Sequence, residues 1–286
     1  MRVDAGQYAE WVACFERAAA RRVADGDPDW ESGADLDGAV VRSVQRFQLG
    51  ESGDGVNLAA KAGRGRDGSY CAAVRLFIAD EQDHARLLAA LLAAAGAPVI
   101  SRHWSDAVFV RLRRALGLRL ELMVLFVAEF IALTYYRAFR DGAGDRLAAQ
   151  VAARILADEE RHVRFHSQRL RPALAEFAPL TRLAVCWAWQ LLMVGTACVV
   201  VIDHGAALRR FGVPRRRFAA QVITGFAAAV TGIRRGSTGS ASRPSSEPRA
   251  DQSGTRDQYP AITRTEEQTA AGRGSRRSDR RYWGAS

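Results

Sequence analysis

Apolar residues recur at spacings of three and four along most of the first 235 residues, which is the period of an amphipathic α-helix. The pattern predicts five helices, over residues 4–22, 36–62, 69–95, 118–140 and 145–170. Segments rich in glycine separate them, and the longest connection, residues 96–117, contains a short helix of its own. The sequence therefore predicts an all-α fold whose short turns place neighbouring helices antiparallel.

A further apolar stretch, Leu183 to Ile202, has Gln190 and Thr196 as its only clearly polar members. A stretch of this length can cross a bilayer. The same pattern also suits a helix packed against the other helices or in a homodimer interface. The later apolar segment, Phe218 to Thr231, is too short to cross a bilayer beside it and contains Gln221. We favour packing or a dimer interface over membrane contact.

The amino-acid composition of the chain changes at residue 236. From there to residue 286, Ser, Gly, Thr, Arg, Glu and Pro alternate without a hydrophobic period, and aromatic residues are isolated. Such a composition cannot bury enough apolar surface to fold. The sequence predicts a helical domain over residues 1–235, followed by a disordered basic tail over residues 236–286.

Charged residues interrupt the apolar faces in a repeated motif. The order Asp-Glu-x-x-His occurs twice, at residues 80–84 and 158–162. Glu and His three residues apart lie on one face of a helix. Because an unpaired charge in a core is costly, each pair needs a partner, and a metal ion is the obvious candidate.

Two more glutamates extend this repeat. Glu51 and Glu129 each lie on an apolar stripe, 30 residues before the motif glutamates Glu81 and Glu159, and the two sets are 78 residues apart. The spacing indicates an internal duplication of a helix pair. In each pair the first helix offers Glu and the second offers Glu-x-x-His.

This ligand pattern resembles that of the ferritin-like di-iron carboxylate proteins, which include bacterioferritins, ribonucleotide reductase small subunits and di-iron N-oxygenases. The resemblance covers about residues 36–172 and implies a four-helix bundle with one long crossover and flanking helices at both ends. The implied metal ligands are Glu51, Glu81, His84, Glu129, Glu159 and His162. The implied cofactor is a pair of iron ions, or a Mn/Fe pair.

The resemblance also suggests roles for individual residues. Glu81 and Glu159 would bridge the two ions, with the other two glutamates as terminal ligands. Asp80 and Asp158 would accept the far N–H of the ligand histidines and orient their rings. The alternative for each aspartate is a solvated position on the side of its helix.

Two residues are candidates for a catalytic role. His166 lies one turn beyond His162, where it could be a third nitrogen ligand or a proton donor. Tyr136, beside Tyr135, suggests a redox-active tyrosine. Ordinary packing in the core is the alternative for both candidates.

The resemblance implies a di-iron oxidase or oxygenase that activates dioxygen, oxidises an unidentified small molecule and needs a separate electron donor. A metal-binding structural or interaction protein without turnover, and ferroxidase-type iron handling, are the alternatives. The net charge of +10 comes almost wholly from Arg, and no basic pattern with interleaved aromatic residues predicts a nucleic-acid partner. Four cysteines without a C-x-x-C pair, and an N-terminus without an apolar signal core, predict a cytoplasmic protein.

Overall fold

A computed structural model describes residues 5–65, 67–115 and 117–235, and its regular structure within them is helical. The helices are α1 (Ala5–Asp25), α2 (Gly38–Glu51), α3 (Val56–Gly63), α4 (Gly68–Ala94), α5 (Trp104–Ala115), α6 (Leu118–Gly142), α7 (Arg146–Ala175), α8 (Pro179–Asp203), α9 (Gly205–Arg210) and α10 (Arg215–Arg235). The predicted all-α class is confirmed. The predicted tail, residues 236–286, lies outside the described residues.

Aspartates fix the starts of three of the long helices. Asp37, Asp67 and Asp145 each accept a hydrogen bond from a backbone N–H in the first turn of α2, α4 and α7, at 2.8 to 3.0 Å. These caps satisfy N–H groups that have no partner within the helix.

The prediction of one continuous helix over residues 36–62 is wrong. Helix α2 ends at Glu51, and α3 begins at Val56. Between them Gly55 has a φ of 64°, and a Cβ at this position would lie 2.5 Å from the side chain of Ile78. The glycines of this segment therefore break the helix and let α4 approach closely.

The long helices pack in pairs around the core. Helix α2 packs against α4, α6 packs against α7, and α4 contacts α7 across the pairs, while α1 lies on α4. Helix α5 runs within the connection between α4 and α6, and α8 and α10 pack together beside α6 and α7. The apolar stripes of α4 and α7 face inward, so the motif residues lie between helices from both halves of the repeat.

Candidate metal centre

The six predicted ligands come from α2, α4, α6 and α7, and their donor atoms meet in the core in two groups. The four-donor group, with donor atoms within 4.8 Å of one another, is Glu81, Glu129, Glu159 and His162. The three-donor group, which meets the same limit, is Glu51, Glu81 and His84. Glu81 belongs to both groups, so the two positions are adjacent and share a carboxylate.

Both histidines turn their Nδ1 atoms toward the carboxylates. The Nδ1 of His162 lies 3.1 Å from Oε1 of Glu81 and 3.3 Å from Oε2 of Glu129. The Nδ1 of His84 lies 3.6 Å from Oε1 of Glu159 and 3.7 Å from Oε1 of Glu81. The two halves of the repeat thus contribute to one centre rather than to two separate ones.

Several of these donor atoms are buried without a hydrogen bond. Within the described part of the chain, the buried side-chain atoms lacking such a partner include Glu81 Oε1, His84 Nδ1, Glu129 Oε2, Glu159 Oε2 and His162 Nδ1. A buried polar atom left unsatisfied costs about 1–3 kcal/mol, and here five of them face one volume. Carboxylate oxygens and imidazole nitrogens are ligands for Fe and Mn, so the residues fit a pair of such ions.

The carboxylates repel one another strongly in this setting. Burial, together with the charges of Glu81 and Glu129, raises the pKa of Glu51 well above its ordinary value. Burial and the charges of Glu129 and Glu81 do the same to the pKa of Glu159. Cations placed among these groups would relieve the repulsion and displace the protons, which couples metal binding to proton release.

The two histidines respond differently to the same surroundings. Burial lowers the pKa of His84 to about 4. Burial also disfavours the charged form of His162, but its contacts with Asp80, Glu129 and Glu81 outweigh that effect and raise its pKa well above the ordinary value. The glutamates lie closer to Nδ1 of His162 than to Nδ1 of His84, which contributes to the difference.

Each histidine is held from behind by an aspartate of the other repeat. Nε2 of His84 lies 3.2 Å from Oδ2 of Asp158, and Nε2 of His162 lies 3.4 Å from Oδ2 of Asp80. Both aspartates are buried. An Nε2–H that donates to a carboxylate leaves Nδ1 as the acceptor that a metal needs. The burial of both aspartates contradicts the alternative of a solvated position, and their orienting role stays a prediction. The crossing between repeats was not predicted.

Two arginines that the sequence analysis missed tie these aspartates together. Nη1 of Arg22, on α1, lies 3.1 Å from Oδ2 of Asp158, and Nη2 of the same residue pairs with Asp80. Arg161 also pairs with Asp158 and lies 3.8 Å from Asp80. Arg161 lies within the second motif, so its place next to the ligands could have been recognised from the sequence. Nothing in the sequence connects Arg22 to the centre.

The two catalytic candidates both border the donor groups. Nε2 of His166, which is fully buried, lies 4.0 Å from Oε1 of Glu129. Tyr136 donates a hydrogen bond of 3.3 Å to Oε1 of Glu51, and burial with the charge of Glu51 raises the pKa of Tyr136 well above its ordinary value. Tyr136 is therefore a neutral donor at neutral pH, and the catalytic roles of both residues stay predictions.

Comparison of the sequence with models of known protein families finds no match, and comparison with curated proteins finds no significant one. A function for the chain must therefore be argued from its own residues. The residues that indicate a function are those of the two donor groups and the aspartates that contact their histidines.

Proposed function

We propose that α2, α4, α6 and α7 form a ferritin-like bundle that holds two iron ions, or a Mn/Fe pair, and that the chain is an oxidoreductase that activates dioxygen. One observation carries the proposal: six predicted ligands form two adjacent groups of donor atoms, one of four and one of three residues, and Glu81 belongs to both. Four carboxylates offset the charge of two divalent ions, and the mixed oxygen and nitrogen donors suit iron and manganese.

The geometry supports bridging roles for two glutamates. Glu81 is a member of both donor groups. Glu159 directs its two oxygens at different histidines, with Oε1 lying 3.6 Å from Nδ1 of His84 and Oε2 lying 4.0 Å from Nδ1 of His162. A carboxylate placed in this way can bind one ion with each oxygen. When bound, a reduced iron pair would supply electrons to dioxygen, and a separate reductase would restore them.

The chain itself contributes orientation and a largely dry surrounding. Phe77 lies edge-on to His162, with ring centres 4.7 Å apart, and Phe15 packs on the same imidazole at 6.1 Å. Excluding water strengthens the electrostatic interactions between ligands and ions. The Glu81 side chain keeps 20% of its surface exposed, although its Oε1 atom is buried. The substrate class does not follow from the ligands.

Metal analysis of the purified chain tests the proposal. We expect close to two metal ions per chain after iron-replete expression, and a loss of at least half of them in Glu159→Ala and in His162→Ala. Glu160→Ala is the matched control, because Glu160 is half exposed and lies 3.7 Å from Arg137 as its ion-pair partner. A metal-free wild type, or equal metal content in all variants, would refute the assignment.

Oxygen consumption after anaerobic loading with Fe(II) separates the proposed function from its alternatives. We expect dioxygen uptake that depends on the bound iron. Continued uptake with iron as the only substrate, and accumulation of Fe(III), would instead support ferroxidase-type iron handling. Bound metal that raises the unfolding temperature without any dioxygen uptake would support a metal-stabilised structural protein.

A further inference from the structure

The two repeats differ at one position beside the candidate metal centre. In the second repeat, Arg161 follows Asp158 by three residues. The offset of 78 residues between the repeats places Asp83 at the equivalent position, three residues after Asp80. Residues three apart lie on the same side of a helix, so an arginine there can pair with the aspartate, whereas a second carboxylate repels it. The first repeat therefore has no arginine at the position from which Arg161 serves the second.

Arg22 of α1 lies at this place, with its Nε 3.8 Å from Oδ2 of Asp83. Its Nη2 donates to Oδ1 of Asp80. In the second repeat, Nη2 of Arg161 donates to Oδ1 of Asp158 in the same way. In each of these two aspartates the other oxygen, Oδ2, faces Nε2 of a candidate ligand histidine. Arg22 thus makes for the first repeat the contact that Arg161 makes for the second.

The guanidinium of Arg22 also balances the charge behind the histidines. Its Nη1 lies 3.1 Å from Oδ2 of Asp158, so it contacts both buried aspartates. Without it, two buried carboxylates would share one guanidinium, and a buried charge that loses its partner is costly. Nη2 of Arg161 lies 3.8 Å from Oδ2 of Asp80, which is the oxygen that faces His162. Loss of Arg22 would therefore draw this oxygen toward Arg161 and away from the imidazole.

Other contacts hold α1 against the bundle. In its first half, Trp11 donates to Oε1 of Gln168 at 2.7 Å. Just beyond its end, Arg86 donates to the two oxygens of Asp27 at 2.6 and 2.9 Å. Because these contacts secure α1 on both sides of Arg22, the pairing of Arg22 with the aspartates can be removed while the helix stays docked.

We propose that Arg22 is a positioning residue of the metal centre, and that it takes in the first repeat the place that Arg161 has in the second. It holds Asp80 so that Oδ2 of this aspartate faces Nε2 of His162. The inference rests on the proposed metal centre, and it makes α1, which contributes no candidate ligand, a part of that centre. The four-donor group, which contains His162, depends on Arg22 more than the three-donor group does, because Asp158 has Arg161 as a second partner.

Anaerobic titration of the full chain with Mn(II) tests the inference. We expect Arg22→Ala to lower the affinity for the more tightly bound ion about tenfold or more, as the loss of a group that supports a ligand typically does. Arg22→Ala combined with Asp83→Arg should recover most of the lost affinity, because the new arginine lies three residues after Asp80. Arg86→Ala is the matched control. It removes the ion pair with Asp27 at the end of α1 and should bind Mn(II) as the wild type does.

Unchanged Mn(II) affinity in Arg22→Ala would overturn the inference and leave the metal centre standing. An equal loss in Arg86→Ala, or a loss that Asp83→Arg does not recover, would also overturn it, because either result assigns Arg22 to the docking of α1. A wild type that binds no Mn(II) would refute the centre and the inference together. If Arg22→Ala does not fold, Arg22→Lys takes its place. Lysine keeps the charge but lacks the planar fork, so we expect a smaller loss that Asp83→Arg again recovers.

Discussion

The two donor groups of the candidate metal centre are built from copies of one motif, yet they differ in number and burial. In the four-donor group, Glu129, Glu159 and His162 are all at most 3% exposed. In the three-donor group, His84 is fully buried but Glu51 is only partly buried, and Glu81, which both groups share, is partly buried as well. Equivalent candidate ligands of the two repeats thus differ in exposure: Glu51 is partly exposed, whereas its counterpart Glu129 is buried.

The backbone explains the difference between the groups. Glu129 lies in the middle of α6, which continues to Gly142. Glu51 is the last residue of α2, and the break before α3 follows it directly. The last turn of a helix is less constrained than its middle, because its carbonyl groups lack partners within the helix. We infer that the three-donor group is the side of the centre that admits small molecules.

The largest expected effect distinguishes the shared ligand from an unshared one. Glu81→Ala should reduce bound metal to near zero, because both donor groups lose a ligand. Glu51→Ala should leave about one ion per chain, because only the three-donor group is changed. Metal analysis beside a colorimetric iron assay measures both results.

Far-UV circular dichroism of the two variants provides the control, since both should retain the helix content of the wild type. If Glu51→Ala loses both ions while its helices persist, the two positions do not bind independently. The contrast between an enclosed and an accessible position would then be wrong.

A smaller effect should follow from the crossed aspartates. Asp158→Asn should weaken the three-donor group, because Asp158 supports His84, although Asp158 itself precedes a ligand of the four-donor group. Asp80→Asn should weaken the four-donor group through His162. Loss of such a supporting carboxylate typically lowers metal affinity about 10–100-fold.

Stepwise titration with Mn(II) under anaerobic conditions can resolve these changes. Asp80→Asn should weaken the binding of the more tightly bound Mn(II) ion. Asp158→Asn should weaken the binding of the other ion. The reverse assignment would mean that each aspartate acts on the histidine of its own repeat. Asp83→Asn is a suitable control, because Asp83 lies on the same helix as Asp80 but pairs mainly with Arg86, at 2.8 Å, and lies 3.8 Å from Arg22.

Features that depend on interactions between residues close in sequence could be predicted, whereas features that depend on helix packing could not. The all-α class and the inward faces of the long helices could be predicted from local periodicity. The spacing of the motif residues grouped six candidate ligands, and these six lie side by side in the fold. The role of Arg22 could not be foreseen, because it depends on how α1 docks against α4 and α7. The crossing of Asp80 and Asp158 between repeats is likewise a property of helix packing, which spacing within one helix does not encode.

Helix boundaries show the same limit. The predicted helix over residues 145–170 ended before Pro172, but α7 continues to Ala175. A proline inside a helix costs about 3 kcal/mol. Burial of Ala173 and Leu174 in the last turn offsets part of this cost. Tertiary contacts thus extended a helix beyond its local stop signal, whereas at residues 52–55 the glycines broke a helix that apolar periodicity alone would continue.

The smallest expected effect concerns that break, which has no counterpart after Glu129. Gly55→Ala should destabilise the fold by roughly 2 kcal/mol or more, because a side chain is disfavoured at a φ of 64° and its Cβ would overlap Ile78. Urea unfolding measures the change. The matched control is Gly53→Ala, where a Cβ meets nothing within 4 Å, and its effect should stay within about 1 kcal/mol.

Metal binding by the same two variants connects the break to the centre. If the turn at Gly55 positions the end of α2, Gly55→Ala should weaken the three-donor group through Glu51 and spare the four-donor group. Equal weakening of both positions would indicate a general loss of packing. Unchanged binding in a destabilised protein would show that Glu51 is held by α2 and Tyr136 alone, and that the break serves only the close approach of α4.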